Sequence, residues 1–253
     1  MNKMHKYQVY LFDLDGTVYA GNRPIESCIS FINQLIKQEK KVVFVTNNAT
    51  LMEKSLRSKL CKMGIESNNY TFVSSAMVCA LYLKNQGIQQ IHLLGSDALA
   101  FFCKKENIEI HSKNPQAVVV SLDISATYEQ IAEAAYIIQK QQIPLIATNM
   151  DLRLPKDEFF VPGAGTIVFM VEQAAGVKAY VIGKPAHHMI AYIQKKYPHY
   201  RKEQFLMIGD NYFTDITFGI ENSIDTCFVE TGVHTMEFVE QQKKQPTFKY
   251  AHL

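Results

Sequence analysis

Short runs of consecutive apolar residues, each ending in polar ones, alternate along the chain with stretches whose apolar positions recur every three or four residues. The first run is Val9-Tyr10-Leu11-Phe12, after which Ile29, Ile32, Leu35 and Ile36 fall at helical spacing. Unbroken apolar runs suit strands buried on both faces, and the longer recurrence suits helices covered on one face. The pattern predicts strands over residues 8–12, 41–45, 91–94, 117–121, 144–148, 179–182, 205–208 and 226–229.

Local signals bound the intervening helices. Thr50-Leu51-Met52-Glu53 and Thr127-Tyr128-Glu129-Gln130 have capping-box spacing, and Ser74 is placed to cap a helix that ends near Gly87. Gly64 and Gly176 stand where helices should stop, the latter after a helix over 165–175. Phe101, Phe102, Phe169 and Met170 fall at spacings expected of buried helix faces. Regular βα alternation predicts an α/β fold of parallel sheets with helices on their faces, and places ligands beyond the carboxyl ends of the strands.

Length and composition narrow the picture. With 253 residues the chain can form one large α/β domain, or a catalytic domain carrying a smaller inserted one. Apolar residues are 47% and charged residues 20% of the chain, an ordinary globular mixture far from disordered or membrane compositions. The formal charge of +2 comes from scattered, balanced groups, and basic runs stay as short as Lys104-Lys105 and Lys195-Lys196, which argues against a nucleic acid polymer as partner. Five cysteines without a C-x-x-C pair suggest neither a disulfide framework nor a zinc site and suit a reducing cytoplasm. The run at 9–12 is too short for a signal sequence, and no segment approaches a membrane span.

Candidate chemistry sits just after four of the predicted strands: Asp13-Leu14-Asp15-Gly16-Thr17, Thr46-Asn47-Asn48, Gly183-Lys184-Pro185, and Gly209-Asp210-Asn211 through Asp215. A carboxylate becomes a competent nucleophile toward phosphorus once cations neutralise the phosphate and water is excluded, the role that Asp13 fits. Asp15, two residues on, can donate a proton to the leaving alkoxide and then activate water. Carboxylates clustered from Asp13 and Asp210 repel one another without a cation, and an all-oxygen site favours Mg²⁺, with Asp215 orienting that shell. Lys184 offsets phosphate charge, while the Thr46 hydroxyl and backbone N–H groups near Asn47 bond phosphoryl oxygens. Gly16 lets the backbone approach closely. A single strand-end Asp is usually turn chemistry, but four such sites in this order favour catalysis.

In that order the sites resemble motifs one to four of the haloacid dehalogenase superfamily. D-L-D-G-T-V-Y, V-T-N-N, V-I-G-K-P and G-D-N-x-x-T-D-I with a following T-G-V resemble the NagD-type branch, subfamily IIA, with Asp13, Asp15, Thr46, Lys184 and Asp210 matching residue by residue. The resemblance implies a Rossmann-like parallel-sheet core formed by residues 1–87 and 178–253, and an inserted α/β cap of the C2 type over 88–177. It implies Mg²⁺ held by the Asp13 carboxylate, the Asp15 backbone carbonyl and Asp210. Substrate contacts are expected at Asp15, Gly16, Thr46, Asn47, Asn48, Lys184 and Asn211.

The implied activity is hydrolysis of small phosphometabolites, sugar phosphates or nucleoside monophosphates, through an aspartyl-phosphate, by a monomer or homodimer. A phosphomutase, or a phospho-accepting module without turnover, shares the same aspartate. In such enzymes the cap closes over the site and reads the leaving group. Its candidate specificity residues are Asn149, Asp151 and Arg153, in a loop where Met150 replaces the proline of the T-N-P-D common in relatives. Pro162-Gly163-Ala164-Gly165-Thr166 is only a fragment of a dinucleotide fingerprint and reads as helix-start packing. His187 and His188 lack a carboxylate at ligand spacing and read as helix-surface or capping residues.

Overall fold

This computed structural model describes residues 2–156 and 159–253. Two compact units divide the chain. One comprises the chain through Thr46, Met52–Val73 and Ile190–Leu253, and the other Asn47–Leu51 and Ser74–Met189.

The first unit is built on a six-stranded sheet in the order Phe248–Tyr250, Asp225–Val229, Phe205–Gly209, Val9–Phe12, Lys41–Thr46, Thr71–Ser74. The strand Val9–Phe12 pairs in parallel with Phe205–Gly209 on one side and Lys41–Thr46 on the other. All four of its side chains are fully buried, which is why the run is apolar without alternation. From this strand the chain builds outward in one direction first and returns later on the other side. The carboxyl ends of Val9–Phe12 and Phe205–Gly209 therefore mark a topological switch point, the usual place for a ligand crevice in open α/β sheets.

The second unit has a five-stranded sheet in the order Tyr180–Val181, Leu145–Ala147, Ala117–Val120, Gln90–Leu94, Glu109–Ile110. Every pairing in it is parallel. Its core joins Val118, Val120 and Leu145 to Ala134 and Ile138 of the helix Tyr128–Gln141, and to Val168 and Val171 of the helix Ala164–Ala175. The strand Tyr180–Val181 pairs in register with Ile146 and Ala147, so it belongs to this sheet although it lies beyond residue 177.

Each predicted strand forms within a residue or two of its expected place. The cap at Ser74 and the capping box at Thr127 also form. The box at Thr50 does not. The helix Glu53–Lys62 begins after Met52 without a side-chain cap, so Thr50 stands two residues before the cap position, where its hydroxyl donates to Asn48 Oδ1 at 2.8 Å. The helix-face expectation holds for Phe102 and fails for Phe101, Phe169 and Met170, which are 49%, 50% and 41% exposed. The helix Asp97–Lys105 buries Ala98, Leu99, Phe102 and Cys103, and the helix Ala164–Ala175 buries Ile167, Val168 and Val171, so those three residues fall off the covered faces. Strands Thr71–Ser74 and Phe248–Tyr250, and the antiparallel hairpins Tyr19–Ala20/Arg23–Pro24 and Arg153–Lys156/Phe159–Pro162, are additional elements. No helix among the described residues is long and apolar enough to cross a membrane.

Candidate active site

In the first unit, Asp13 leaves the strand Val9–Phe12 with its N–H donating to the Ile208 carbonyl at 3.0 Å, so the ladder aims its half-buried side chain past the strand end. Asp210 follows Phe205–Gly209 on the neighbouring strand and is fully buried, as is Asp215. One carboxylate oxygen from each of Asp13, Asp210 and Asp215 lies within 4.8 Å of the others.

Each buried acid is held by named groups. Asp210 Oδ1 accepts the Thr17 hydroxyl at 2.9 Å, and Oδ2 accepts the Val233 N–H at 2.7 Å. The Thr231 hydroxyl donates to the Gly16 carbonyl at 2.5 Å, tying the 231–234 loop to the first motif. Asp215 Oδ2 accepts the Asn211 N–H at 3.1 Å, while Asn211 Oδ1 caps the following turn by accepting from the Phe213 and Thr214 N–H groups. Burial, then the neighbouring Asp215 charge, raises the Asp210 carboxyl from 3.8 to about 7, against the opposing hydrogen bonds from Val233 and Thr17.

That electrostatic cost is one that a bound cation would relieve. Three clustered carboxylates, two of them fully buried, form an acidic all-oxygen donor set whose repulsion a hard divalent cation relieves, and Mg²⁺ suits such oxygens. Asp15 is exposed, and its Oδ1 accepts the Gly21 N–H of the neighbouring hairpin at 3.4 Å.

In the second unit Asn47 is the hub. Its Oδ1 accepts the Lys184 N–H at 2.8 Å, and its Nδ2 donates to the Lys184 carbonyl at 3.1 Å and to Asp151 Oδ2 at 3.2 Å. The Asn47 carbonyl accepts from Asn149 Nδ2 at 2.8 Å and from the Ser75 hydroxyl at 2.7 Å. Lys184 is 2% exposed. The loop after Leu145–Ala147 thus uses Asn149 and Asp151 to hold Asn47, and Asn149 Oδ1 also accepts the Asp151 N–H at 3.1 Å. Arg153 instead packs its guanidinium 4.3 Å from the centre of the Phe160 ring on the hairpin. The Gly163-Ala164-Gly165 stretch packs against this loop, with Gly165 N–H donating to the Asp151 carbonyl at 3.0 Å. His188 opens a helix and meets the Tyr180 hydroxyl at 3.1 Å.

The structure therefore gathers Asp13, Asp210 and Asp215 in one unit, and Asn47, Asn149, Asp151 and Lys184 in the other. Thr46 ends the strand Lys41–Thr46 in the first unit, 5% exposed, while Asn48 is exposed on the following turn. Thr17 as a partner of Asp210, Thr231 as a partner of the Gly16 carbonyl and Val233 as a second partner of Asp210 are not among the expected site residues. The only signal for the last two was the T-G-V after the fourth motif.

The chain matches the family model "haloacid dehalogenase-like hydrolase" over residues 10–109 and a second, "HAD-hydrolase-like", over residues 181–253. It is 33% identical to the acid sugar phosphatase of Staphylococcus haemolyticus over 99% of its length and 95% of that protein. The crystal structure of the 4-nitrophenylphosphatase of Thermotoga maritima superposes with a TM-score of 0.91 at 31% identity, covering 98% of this chain and 95% of that one. NagD of Escherichia coli shares the fold, with a TM-score of 0.90 at 24% identity over 98% of this chain and 97% of that one. Near-complete coverage by phosphatases, together with carboxylates gathered at the switch point, places this chain in the haloacid dehalogenase-like hydrolases, among their phosphatases.

Proposed function

We propose that this chain is a Mg²⁺-dependent phosphomonoesterase for small phosphorylated metabolites, sugar phosphates or nucleoside monophosphates, that works through a phosphorylated Asp13. The observation that carries the reading is the cluster of Asp13, Asp210 and Asp215 at the ends of adjacent strands. The names of the relatives, acid sugar phosphatase and 4-nitrophenylphosphatase, support a phosphomonoester substrate and favour a sugar leaving group.

In this reading an Asp13 oxygen attacks phosphorus, the phosphorus–alkoxide bond breaks, and Asp15 delivers a proton to the departing oxygen. Water then attacks the acyl phosphate, its proton passes to Asp15, and the bond between Asp13 and phosphorus breaks to release phosphate. Asp13, Asp210 and the Asp15 backbone carbonyl would hold Mg²⁺, with Asp215 anchored behind them by the Asn211 N–H. Bound there, the cation would offset the negative charge of carboxylates and phosphate. Lys184 supplies a buried positive charge for the phosphoryl oxygens, fixed by two backbone hydrogen bonds to the Asn47 side chain. Thr46, Asn47, Asn48, Gly16 and Asn211 complete the proposed phosphate contacts. Residues 88–177 form the proposed cap, where Asn149 and Asp151 act by positioning Asn47, and Arg153 is left on the hairpin to meet a leaving group.

The test is phosphate release from a panel of phosphomonoesters with and without Mg²⁺. Wild type should turn over many times per chain and Asp13→Asn should not. Full activity in Asp13→Asn overturns the nucleophile, and a single phosphate per chain points to the phospho-accepting module.

A further inference from the structure

A cavity of about 480 Å³ lies between the tip of the Tyr19–Ala20/Arg23–Pro24 hairpin and one face of the helix Glu53–Lys62. It is lined by Asn22, Lys54, Ser55, Ser58, Lys59 and Lys62, with no carboxylate among them. Positions 54, 55, 58, 59 and 62 fall on a single helical face, so these side chains border the same space. Among the described residues none of the three lysines forms an ion pair, whereas Glu53 on the adjacent face is taken by Arg57 at 2.7 Å. Three lysines beside two hydroxyls and an amide make a donor-rich setting that suits an anion.

The cavity adjoins the proposed acid. The Gly21 N–H, next in sequence to Asn22, donates to Asp15 Oδ1 at 3.4 Å. Tyr19, whose backbone bridges Asp15, carries the Lys59 ammonium 3.4 Å from its ring centre. Burial lowers the Lys59 ammonium from its ordinary value and the Asp15 charge opposes that, so the two groups feel one another. The oxygen that Asp15 protonates belongs to the leaving group, so whatever extends from that oxygen toward the hairpin meets these lysines.

We infer that this lysine-lined cavity is a leaving-group subsite for a second anionic group, which makes phosphomonoesters whose alcohol carries a further phosphate the preferred substrates. The inference rests on the proposed roles of Asp13 and Asp15. Lys59 forms the inner wall beside Asp15, and Lys54 and Lys62 supply the outer charge. Because Lys54 and Lys62 are exposed, their attraction should be screened by salt within about 10 Å at 0.1 M.

The test compares a sugar bisphosphate, the monophosphate of the same sugar and 4-nitrophenyl phosphate, on wild type and on the Lys54→Gln/Lys62→Gln double variant, at low and high salt. Gln keeps helix propensity close to that of Lys, so the exposed face should tolerate the change. The expected result is a lower KM for the bisphosphate on wild type, raised about two- to thirty-fold in the variant, or by high salt, from two exposed charges. The kcat values and the KM for 4-nitrophenyl phosphate should hold. Equal KM values for both sugar substrates on wild type, or a variant that loses all three substrates alike, overturn the subsite. Wild type inert toward all three would sink the phosphatase reading instead. Equilibrium binding to Asp13→Asn protein, which needs no turnover, then judges the subsite alone: tighter binding of the bisphosphate than the monophosphate supports it, and equal binding overturns it.

Discussion

The Asp210 carboxylate fills the space that a side chain on Gly16 would need, since a Cβ built there falls 2.4 Å from Asp210 Oδ2. Gly16 also sits at φ +90°, a region that L side chains rarely adopt. Gly16→Ala therefore meets two penalties at once: strain of about 1–3 kcal/mol at a forbidden dihedral, and a displaced acid. Phosphate release should fall by about a hundredfold or more, as ångström-scale misplacement of reacting groups does. Steady-state kinetics beside a thermal melt would separate the two effects. A variant with wild-type kcat would mean that Asp210 need not stand where it does.

The Asp210 carboxyl also predicts an unusual pH dependence. Its folded value of about 7 lies above the ordinary 3.8, because burial and the Asp215 charge disfavour ionisation. Between those values the folded state holds a proton that the unfolded chain has lost, so stability falls as pH rises through that window, by up to about 1.4 kcal/mol per unit. Below the ordinary value the penalty is absent, and above about 7 it is complete. Protein stripped of divalent cations should melt at a higher temperature near pH 5 than near pH 8. Asp210→Asn should remove most of that difference, and Mg²⁺ added at pH 8 should restore wild-type stability. A metal-free melting temperature that rises from pH 5 to pH 8 to the same extent in both proteins would contradict the assignment.

Much of the first unit was readable because its strands are buried on both faces. A run such as Val9–Phe12 has no solvent side on which polar residues can interrupt it, and its first polar residue is the chemistry itself. The polar contacts that hold that chemistry were less visible. Thr17 and Val233 reach Asp210 from 193 and 23 residues away, and a hydroxyl or a backbone N–H leaves no pattern of its own. Thr50 shows the converse. Its spacing to Glu53 suits a capping box, but the helix starts only at Glu53, two residues too late for Thr50 to stand at the cap. The exposed Phe101, Phe169 and Met170 show the limit of spacing alone, because a helix rich in apolar residues does not reveal which stripe is covered.

Packing accounts for the glycines at the start of the helix Ala164–Ala175. A Cβ on Gly165 would fall 2.3 Å from the Met150 carbonyl oxygen, and the Thr166 hydroxyl donates to the Leu152 carbonyl at 2.5 Å. The helix start thus clamps the loop that carries Asn149 and Asp151, the two residues bonded to Asn47. Gly165→Ala should push that loop outward and cost about 1–3 kcal/mol, the usual penalty for overpacking. Thermal unfolding measures the cost. A variant as stable as wild type would show that the clamp yields freely.

His234 offers the sharpest test of how the acids are positioned. Its Nδ1 accepts the Tyr212 N–H at 3.2 Å, its backbone N–H donates to the Asp210 carbonyl at 3.4 Å, and its ring stacks on Phe238 with centroids 4.4 Å apart. The ring therefore links the 231–234 loop, which bonds the Asp210 carboxylate through Val233, to the turn that carries Asp215. His234→Phe keeps an aromatic ring for the stack and removes the acceptor, stranding the Tyr212 N–H. His234→Asn returns an acceptor oxygen near the place of Nδ1 and gives up the stack. If the acceptor matters, the Mg²⁺ concentration for half-maximal phosphate release should rise roughly tenfold in His234→Phe, the scale of outer-shell changes around metal ligands, and much less in His234→Asn. If only the stack matters the order reverses, and equal small effects in both variants would mean that the loop needs neither contact to hold Asp210.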